Sequence, residues 1–297
     1  MELRTLQYFV TVVKEGNITK AAQALHMTQP ALSIQIKDLE EELGTPLVNR
    51  GNRHITLTTE GNFFYQKARE ILGLVNFTRE TLEGFSEING TLYLGGTDSQ
   101  YNEELFKTFH QLRQEYPQIN LNFLSGTIED TFKRLDSGDI DFAIILGPVD
   151  TEKYNTLPLP WWDIFSALVP DSSPLYLKEV LKHEDFETQQ LILPNHPMIR
   201  KIVAGWLNMP LEMLNVSSVY TFPYTASSLV QAGLGIALCK DAILNTSQSN
   251  LRFIPIEDPI SLPLQLLWRR DSAMSQVALK FLDVVTEKVA TAEYYPQ

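Results

Sequence analysis

A chain of 297 residues, 44% of them hydrophobic, is long enough for more than one domain and a substantial core. Its formal charge of −12 excludes nonspecific attraction of the whole molecule to nucleic acid, and a single cysteine, Cys239, excludes an internal disulfide framework. The chain opens directly on a helical pattern without a signal peptide or a membrane-length apolar run, so a cytoplasmic protein with no membrane partner is expected.

Residues 1–62 are nearly balanced, with six Lys/Arg against seven Asp/Glu, so almost all of the acidic excess lies beyond them. Leu3, Leu6, Phe9, Val10 and Val13 give a first helix one apolar face. Residues 18–25 form an alanine-rich second helix, and His26, Met27 and Thr28 make a turn in which Thr28 suits an N-cap. Gln29 opens a third helix with Pro30 in its first turn, where a missing N–H costs nothing. Small residues such as Ala21 and Ala22 let the second and third helices cross closely, as a helix-turn-helix requires. Leu32, Ile36, Leu39 and Leu43 mark the buried stripe. Gln29, Ser33 and Lys37 share another face, with Pro30 and Ile34 beside it. Gln pairs with adenine edges, Ser with several base edges and Lys with phosphate. Residues 48–57 set Arg50, Gly51, Asn52, Arg53 and His54 between apolar residues, the pattern of a β-wing. Two arginines at its tip suit phosphates or a minor groove. The turn alone also fits a purely structural helical hairpin.

A long helix follows, capped by Thr58 or Thr59, with Glu60 favouring its N-terminal dipole. Phe64, Ala68, Ile71, Val75, Thr78, Leu82 and Phe85 alternate steps of four and three, a heptad seam. Such a seam fits a dimer-forming linker, or a helix packed on its own domain. Beyond Gly90 the pattern alternates strand and helix: strands near 92–94, 121–124 and 142–146, helices near 102–115 and 128–135. This predicts an open, mostly parallel sheet with helices on both faces, an α/β fold.

One ordered set of residues carries a family resemblance: Leu6, Phe9, Val10, Ala21, Ala22, Leu25, the run Thr28-Gln29-Pro30-Ala31-Leu32-Ser33, Leu39, Glu40, Leu43, Gly44, Leu47, Arg50, Leu57, Thr58 and Gly61. With these, residues 1–61 resemble the DNA-binding domain of LysR-type transcriptional regulators. Leu135, Gly138, Asp141, Ala143 and Ile144, together with residues 229–238, resemble the regulatory domain of the same family. The resemblance implies a winged helix-turn-helix over 1–61 and a linker helix over 62–90. Residues 91–297 would then form a two-lobed α/β effector domain like a periplasmic binding protein. Lobe I would comprise 91–162 plus 270–297 and lobe II 163–269, with crossover strands at 164–169 and 264–269. It also implies Gln29, Pro30 and Ser33 against bases, and Thr28, Arg50 and Arg53 on the backbone or in the minor groove. The implied partners are double-stranded DNA with an inverted repeat, a second copy in a homodimer or homotetramer, RNA polymerase, and a small-molecule effector. Two departures stand out: Ile34 where a basic or polar residue is usual, and Val48 in place of phenylalanine.

In such a fold small molecules bind at the carboxyl ends of strands, facing the interlobe cleft. Five segments fall there and nominate Thr97, Asp98 and Ser99; Ser125 and Thr127; Gly147; Asn195 and His196; Phe222 and Tyr224. Each also has a plain structural role: Asp98, Ser99 and Thr127 as helix caps, His196 in a surface loop, Phe222 in the core. Asp98 disfavours an anionic effector unless Arg200 or a helix N-terminus offsets it. Trp161 and Trp162 suit hinge packing.

The five histidines, His26, His54, His110, His183 and His196, show no metal-ligand spacing, and neither a phosphate-binding GxxxxGK[ST] run nor a G-x-S-x-G elbow occurs. No catalytic residue, metal or cofactor is expected. The expected function is sequence-specific DNA binding modulated by an effector in the cleft. The competing classes are a small-molecule-binding protein and a cleft enzyme using Asp98 and His196.

Overall fold

A computed structural model describes residues 1–50, 55–82, 88–147, 149–270, 272 and 274–292. The first three helices are α1 (Leu3–Glu15), α2 (Ile18–Ala24) and α3 (Gln29–Leu43). Gly16 ends α1 with φ 58°, and the Asn17 side chain accepts the N–H groups of Thr19 and Lys20 to start α2. His26 takes the left-handed turn at φ 53°, and Thr28 Oγ1 accepts from the Ala31 N–H at 3.4 Å to cap α3. Ala21 and Ala22 are fully buried against Phe9, Leu32, Ile36 and Leu39, which lets the helices approach. Two details differ from expectation. The second helix stops at Ala24, and Leu43 is 38% exposed because Gly44 ends α3 one residue later.

Strands β1 (Val48–Arg50) and β2 (Ile55–Leu57) pair antiparallel, Val48 opposite Leu57. The Glu40 carboxylate accepts from the N–H groups of Leu47 and Val48 at 2.8 and 3.1 Å, pinning this hairpin to α3. Arg53 and His54 lie outside the described residues, as does the rest of 51–54. Helix α4 (Thr59–Leu82) is capped by Thr58, whose Oγ1 accepts from the Gly61 N–H at 2.9 Å. A Cβ at Gly61 would lie 1.9 Å from the Leu47 carbonyl oxygen, so only glycine lets α4 pass the wing.

The expected heptad seam divides. Phe64 packs edge-on against Phe9 at 5.1 Å between ring centroids, and Ala68 is fully buried in the same core. These two members therefore serve the chain's own N-terminal unit. Ile71 is exposed, and on an adjoining face so are Phe63 (63%) and Leu74 (54%). Phe85 lies outside the described residues.

The remaining elements are β3 (Gly90–Gly96), α5 (Asn102–Glu115), β4 (Ile119–Ser125), α6 (Ile128–Ser137), β5 (Phe142–Leu146), β6 (Tyr154–Pro170), β7 (Leu191–Pro194), α7 (Pro197–Trp206), β8 (Val216–Tyr220), α8 (Pro223–Gln231), β9 (Ile236–Lys240), β10 (Leu251–Ile254), β11 (Ser261–Arg269) and α9 (Gln276–Thr291). Their strands follow the order β4-β3-β5-β11-β6-β9-β7-β8, with β10 also on β6. β3 runs parallel to β4 and β5, and β7 runs parallel to β8 and β9. The 17-residue β6 joins these two parallel groups, pairing with β11 up to Ile164 and with β9 from Phe165. β11 returns beside it. The return lies before 264, because Leu264 to Leu267 already pair with β5 of the first lobe. Apolar side chains of both lobes, from Phe142 and Phe281 to Phe165 and Leu193, form one continuous core.

Helix α4 touches the first lobe through ion pairs. Arg269 Nη1 on β11 lies 2.8 Å from Glu70 Oε1, and Arg69 Nη1 lies 3.1 Å from Asp139 Oδ1.

Candidate functional site

Two surfaces have the form that function requires. The first is the N-terminal half of α3, which carries no acidic residue in its first turn and leaves the positive end of its dipole uncompensated. Gln29 and Pro30 are exposed there, Ser33 is half-buried, and Ile34 is 56% exposed. Thr28 caps the helix from an exposed position. Lys37 Nζ is held 3.0 Å from Glu41 Oε1, one turn further on. Arg50 belongs to β1.

The second is a small cavity of about 100 Å³, partly open to solvent, between the carboxyl ends of the two parallel strand groups. Six expected residues line it: Thr97, Asp98, Thr127, Asn195, His196 and Phe222. Ile128, Leu146, Phe165 and Ile199 give it largely apolar walls. Gly96 allows the tight strand end below Thr97, since a Cβ there would sit 2.9 Å from the Ile144 carbonyl oxygen. Thr127 both lines the cavity and caps α6, accepting from the Asp130 N–H at 3.0 Å.

Four expected residues stand outside the lining. Ser99 is buried and turned away, its Oγ donating to Asp163 Oδ1 at 2.7 Å. Ser125 ends β4 beyond the cavity edge. The Gly147 carbonyl is taken by the Gln265 amide at 2.6 Å. Tyr224 is 77% exposed, since it follows Pro223 on the outer side of the first turn of α8.

The residue that sequence reasoning missed is Lys240. The β6–β9 register sets it opposite Phe165, two residues from Asp163. Its ammonium lies 3.0 Å from Asp163 Oδ2, donates to Thr97 Oγ1 at 3.0 Å, and donates to the Asp98 carbonyl oxygen. Asp163 is 1% exposed, so its charge is tolerable only because Ser99 and Lys240 approach its two oxygens. The cluster ties the loop after β3 to the end of β9, and so one lobe to the other. A sequence signal existed in each partner: Asp163 interrupts an apolar strand, and Lys240 closes one at its ligand-facing end. Lys240 thus holds the main chain of Asp98 through its carbonyl oxygen, while its ion pair is with Asp163. His196 Nε2 bridges the lobes a second time, 3.4 Å from Glu129 Oε1, while His196 Nδ1 and Arg200 Nε are buried without hydrogen-bond partners among the described residues. Trp161 stacks on Tyr101 with centroids 6.0 Å apart, and burial first, then the Asp163 charge, pushes the Tyr101 phenol above its ordinary range.

Comparison with known proteins matches this two-part architecture. Residues 3–62 match the family described as "Bacterial regulatory helix-turn-helix protein, lysR family", and residues 86–290 match the "LysR substrate binding domain". The regulator BsdA of Bacillus subtilis (strain 168) is 30% identical over 295 residues, spanning 96% of this chain and 100% of its own. BudR of Raoultella terrigena is 28% identical over 291 residues, again 96% and 100%. Among solved structures, a full-length OxyR variant of Pseudomonas aeruginosa superposes with a TM-score of 0.76 at 22% identity, covering 99% of this chain and 96% of that one. CbnR, described as a LysR family regulator in complex with its target DNA, gives 0.68 at 21%, covering 97% and 99%. At those identities the structural likeness speaks to the fold. The chain belongs to the LysR family of helix-turn-helix transcriptional regulators, with a C-terminal effector-binding domain. No helix among the described residues is long and apolar enough to cross a membrane.

Proposed function

We propose that this regulator reads an inverted repeat in double-stranded DNA with two copies of α3, and that a small molecule in the interlobe cleft adjusts that binding. The working division is a DNA-binding unit over 1–61, a linker helix over 62–90 and an effector domain beyond. Gln29, Pro30, Ser33 and Ile34 address bases, while Thr28, Lys37, Arg50 and Arg53 address the backbone or the minor groove. Exposed Phe63 and Leu74 on α4 supply apolar surface for pairing two copies, and pairs of dimers extend this to a tetramer. RNA polymerase is the partner to which bound dimers would answer. The protein works in the cytoplasm, and the cleft binds without transforming its ligand.

One observation carries the effector reading: Lys240 fastens one lobe to the other at the edge of an apolar cavity. A ligand that inserts beside it favours one lobe arrangement over another, which is the differential affinity that coupling demands. The walls suit a small, mostly apolar molecule with one accepting group, received by the Thr97 hydroxyl, the Asn195 amide or the Lys240 ammonium. Helices α6, α7 and α8 begin at the cavity, where the positive ends of their dipoles favour an accepting group.

The direct test is a mobility-shift titration of the full chain on its own upstream region, against random duplex of equal length at fixed salt. Preferential retention of the upstream fragment is expected. Equal, salt-sensitive binding to both would contradict sequence-specific reading.

A further inference from the structure

The outward face of α3 carries at its centre a side chain with no hydrogen-bonding atom. Leu32, Ile36 and Leu39, each no more than 1% exposed, define the side of the helix that packs inward. Ile34 projects from the opposite side and is 56% exposed. Pro30 and Ala31, one turn towards the N-terminus, are exposed as well, so the three make a small apolar patch at the end of the helix that leads into a groove. Beyond Ile34, Lys37 is engaged with Glu41. Among the described residues Ile34 takes no part in the core and borders only an open groove with Tyr8 and Gln35, and a β-branched residue is slightly unfavourable in a helix.

An isoleucine cannot tell base pairs apart by donors and acceptors. In the major groove the one apolar feature that distinguishes a base pair is the C5-methyl group of thymine. We propose that Ile34 is a specificity-determining residue that selects thymine by packing on this methyl group, once in each half-site, with Pro30 and Ala31 excluding water around the contact. Ser33 and Gln29 beside it then supply hydrogen bonds to neighbouring bases. This rests on the reading of α3 as the groove-entering helix.

The test begins by selecting preferred duplexes from a random pool with the full chain. Each thymine is then replaced in turn by deoxyuridine, which removes only the C5-methyl group, and affinity is measured at one salt concentration. In the wild type, one symmetric thymine pair should weaken binding about three- to tenfold on replacement, the size of a buried methyl contact. In Ile34→Ala the same replacement should have almost no effect, while Ile34→Val retains most of it. Thermal unfolding checks that each variant folds, which its exposed position favours. A wild type that discriminates duplexes yet ignores every methyl group overturns the inference and leaves the groove reading standing. So does an Ile34→Ala variant with an undiminished deoxyuridine penalty. A wild type that selects no duplex over random removes the groove reading and the inference together.

Discussion

Arg269 on β11 donates to the Glu70 carboxylate of α4 across 2.8 Å, with both side chains largely shielded from solvent. β11 also pairs with β6, the strand that carries Asp163, so a shift in the cleft has a continuous mechanical route to α4. Lys67 lies 2.8 Å from the same Glu70 carboxylate, and Arg69 binds Asp139 beside it. Glu70→Gln should therefore lower stability by about 1–3 kcal/mol, the range for a lost charge-assisted hydrogen bond. It should also weaken the response of DNA binding to a cleft ligand while leaving ligand affinity nearly intact. Calorimetric titration beside a DNA-binding titration separates the two. An unchanged response would mean that the lobe does not act through this contact.

Asp141 lies in the same region and gives a pH signature. Its carboxyl accepts from the Tyr93 N–H at 2.8 Å, and burial raises its pKa from 3.8 to about 6 against the opposing effects of that hydrogen bond, Arg69 and Arg269. A carboxyl raised in the fold favours its protonated form there. Its contribution to stability is complete below pH about 4 and disappears as the pH climbs through about 6. Asp141→Asn keeps an acceptor for Tyr93 and removes the titration. The melting temperature of this variant relative to wild type should rise between pH 4 and 7 and then level off. A difference independent of pH would show that Asp141 titrates normally.

Lys240 and Asp163 should behave as a unit. Lys240→Met leaves a buried carboxylate without its cation and should cost about 3–5 kcal/mol. Adding Asp163→Asn should recover much of that loss, since the uncompensated charge is then gone. Denaturant unfolding of the four proteins in a double-mutant cycle gives the coupling directly. Additive losses would refute the latch.

The exposed apolar pair on α4 makes a further prediction. Phe63→Ser with Leu74→Ser should leave the melting temperature of the N-terminal unit almost unchanged but lower the association constant by tenfold or more, roughly 1.4 kcal/mol or above. Sedimentation velocity over a concentration series reads this. Unchanged association would place the dimer contact elsewhere.

What the sequence made legible was local. Thr28 acts within one turn of its own position, so the start of α3 was readable from residue type, whereas the second helix ends one residue before its pattern suggested, at Ala24. The strand-helix alternation likewise pointed to the loop ends carrying Thr97 and Thr127, and the two-lobed fold implied by the family resemblance to those carrying Asn195 and Phe222; all four line the cavity. What failed was long-range. Lys240 meets Thr97 across 143 positions of chain, which no spacing rule encodes. Ser99 turned inward because Asp163 needed a donor, a demand visible only once β6 lay beside the loop. Phe64 and Ala68 kept helical periodicity but joined Phe9, because periodicity identifies an apolar face and not the surface that covers it.

Coupling between cleft and groove is tested most directly by measuring affinity for a selected duplex with and without a cleft ligand found by thermal-shift screening. Wild type and Thr97→Val, which loses the cavity-lining hydroxyl to which Lys240 donates, are compared. Linkage predicts that the ligand changes duplex affinity in the wild type, that the duplex changes ligand affinity by the same factor, and that Thr97→Val loses the effect while still binding DNA. A ligand that stabilises the wild type yet leaves duplex affinity unchanged would contradict an effector-controlled regulator.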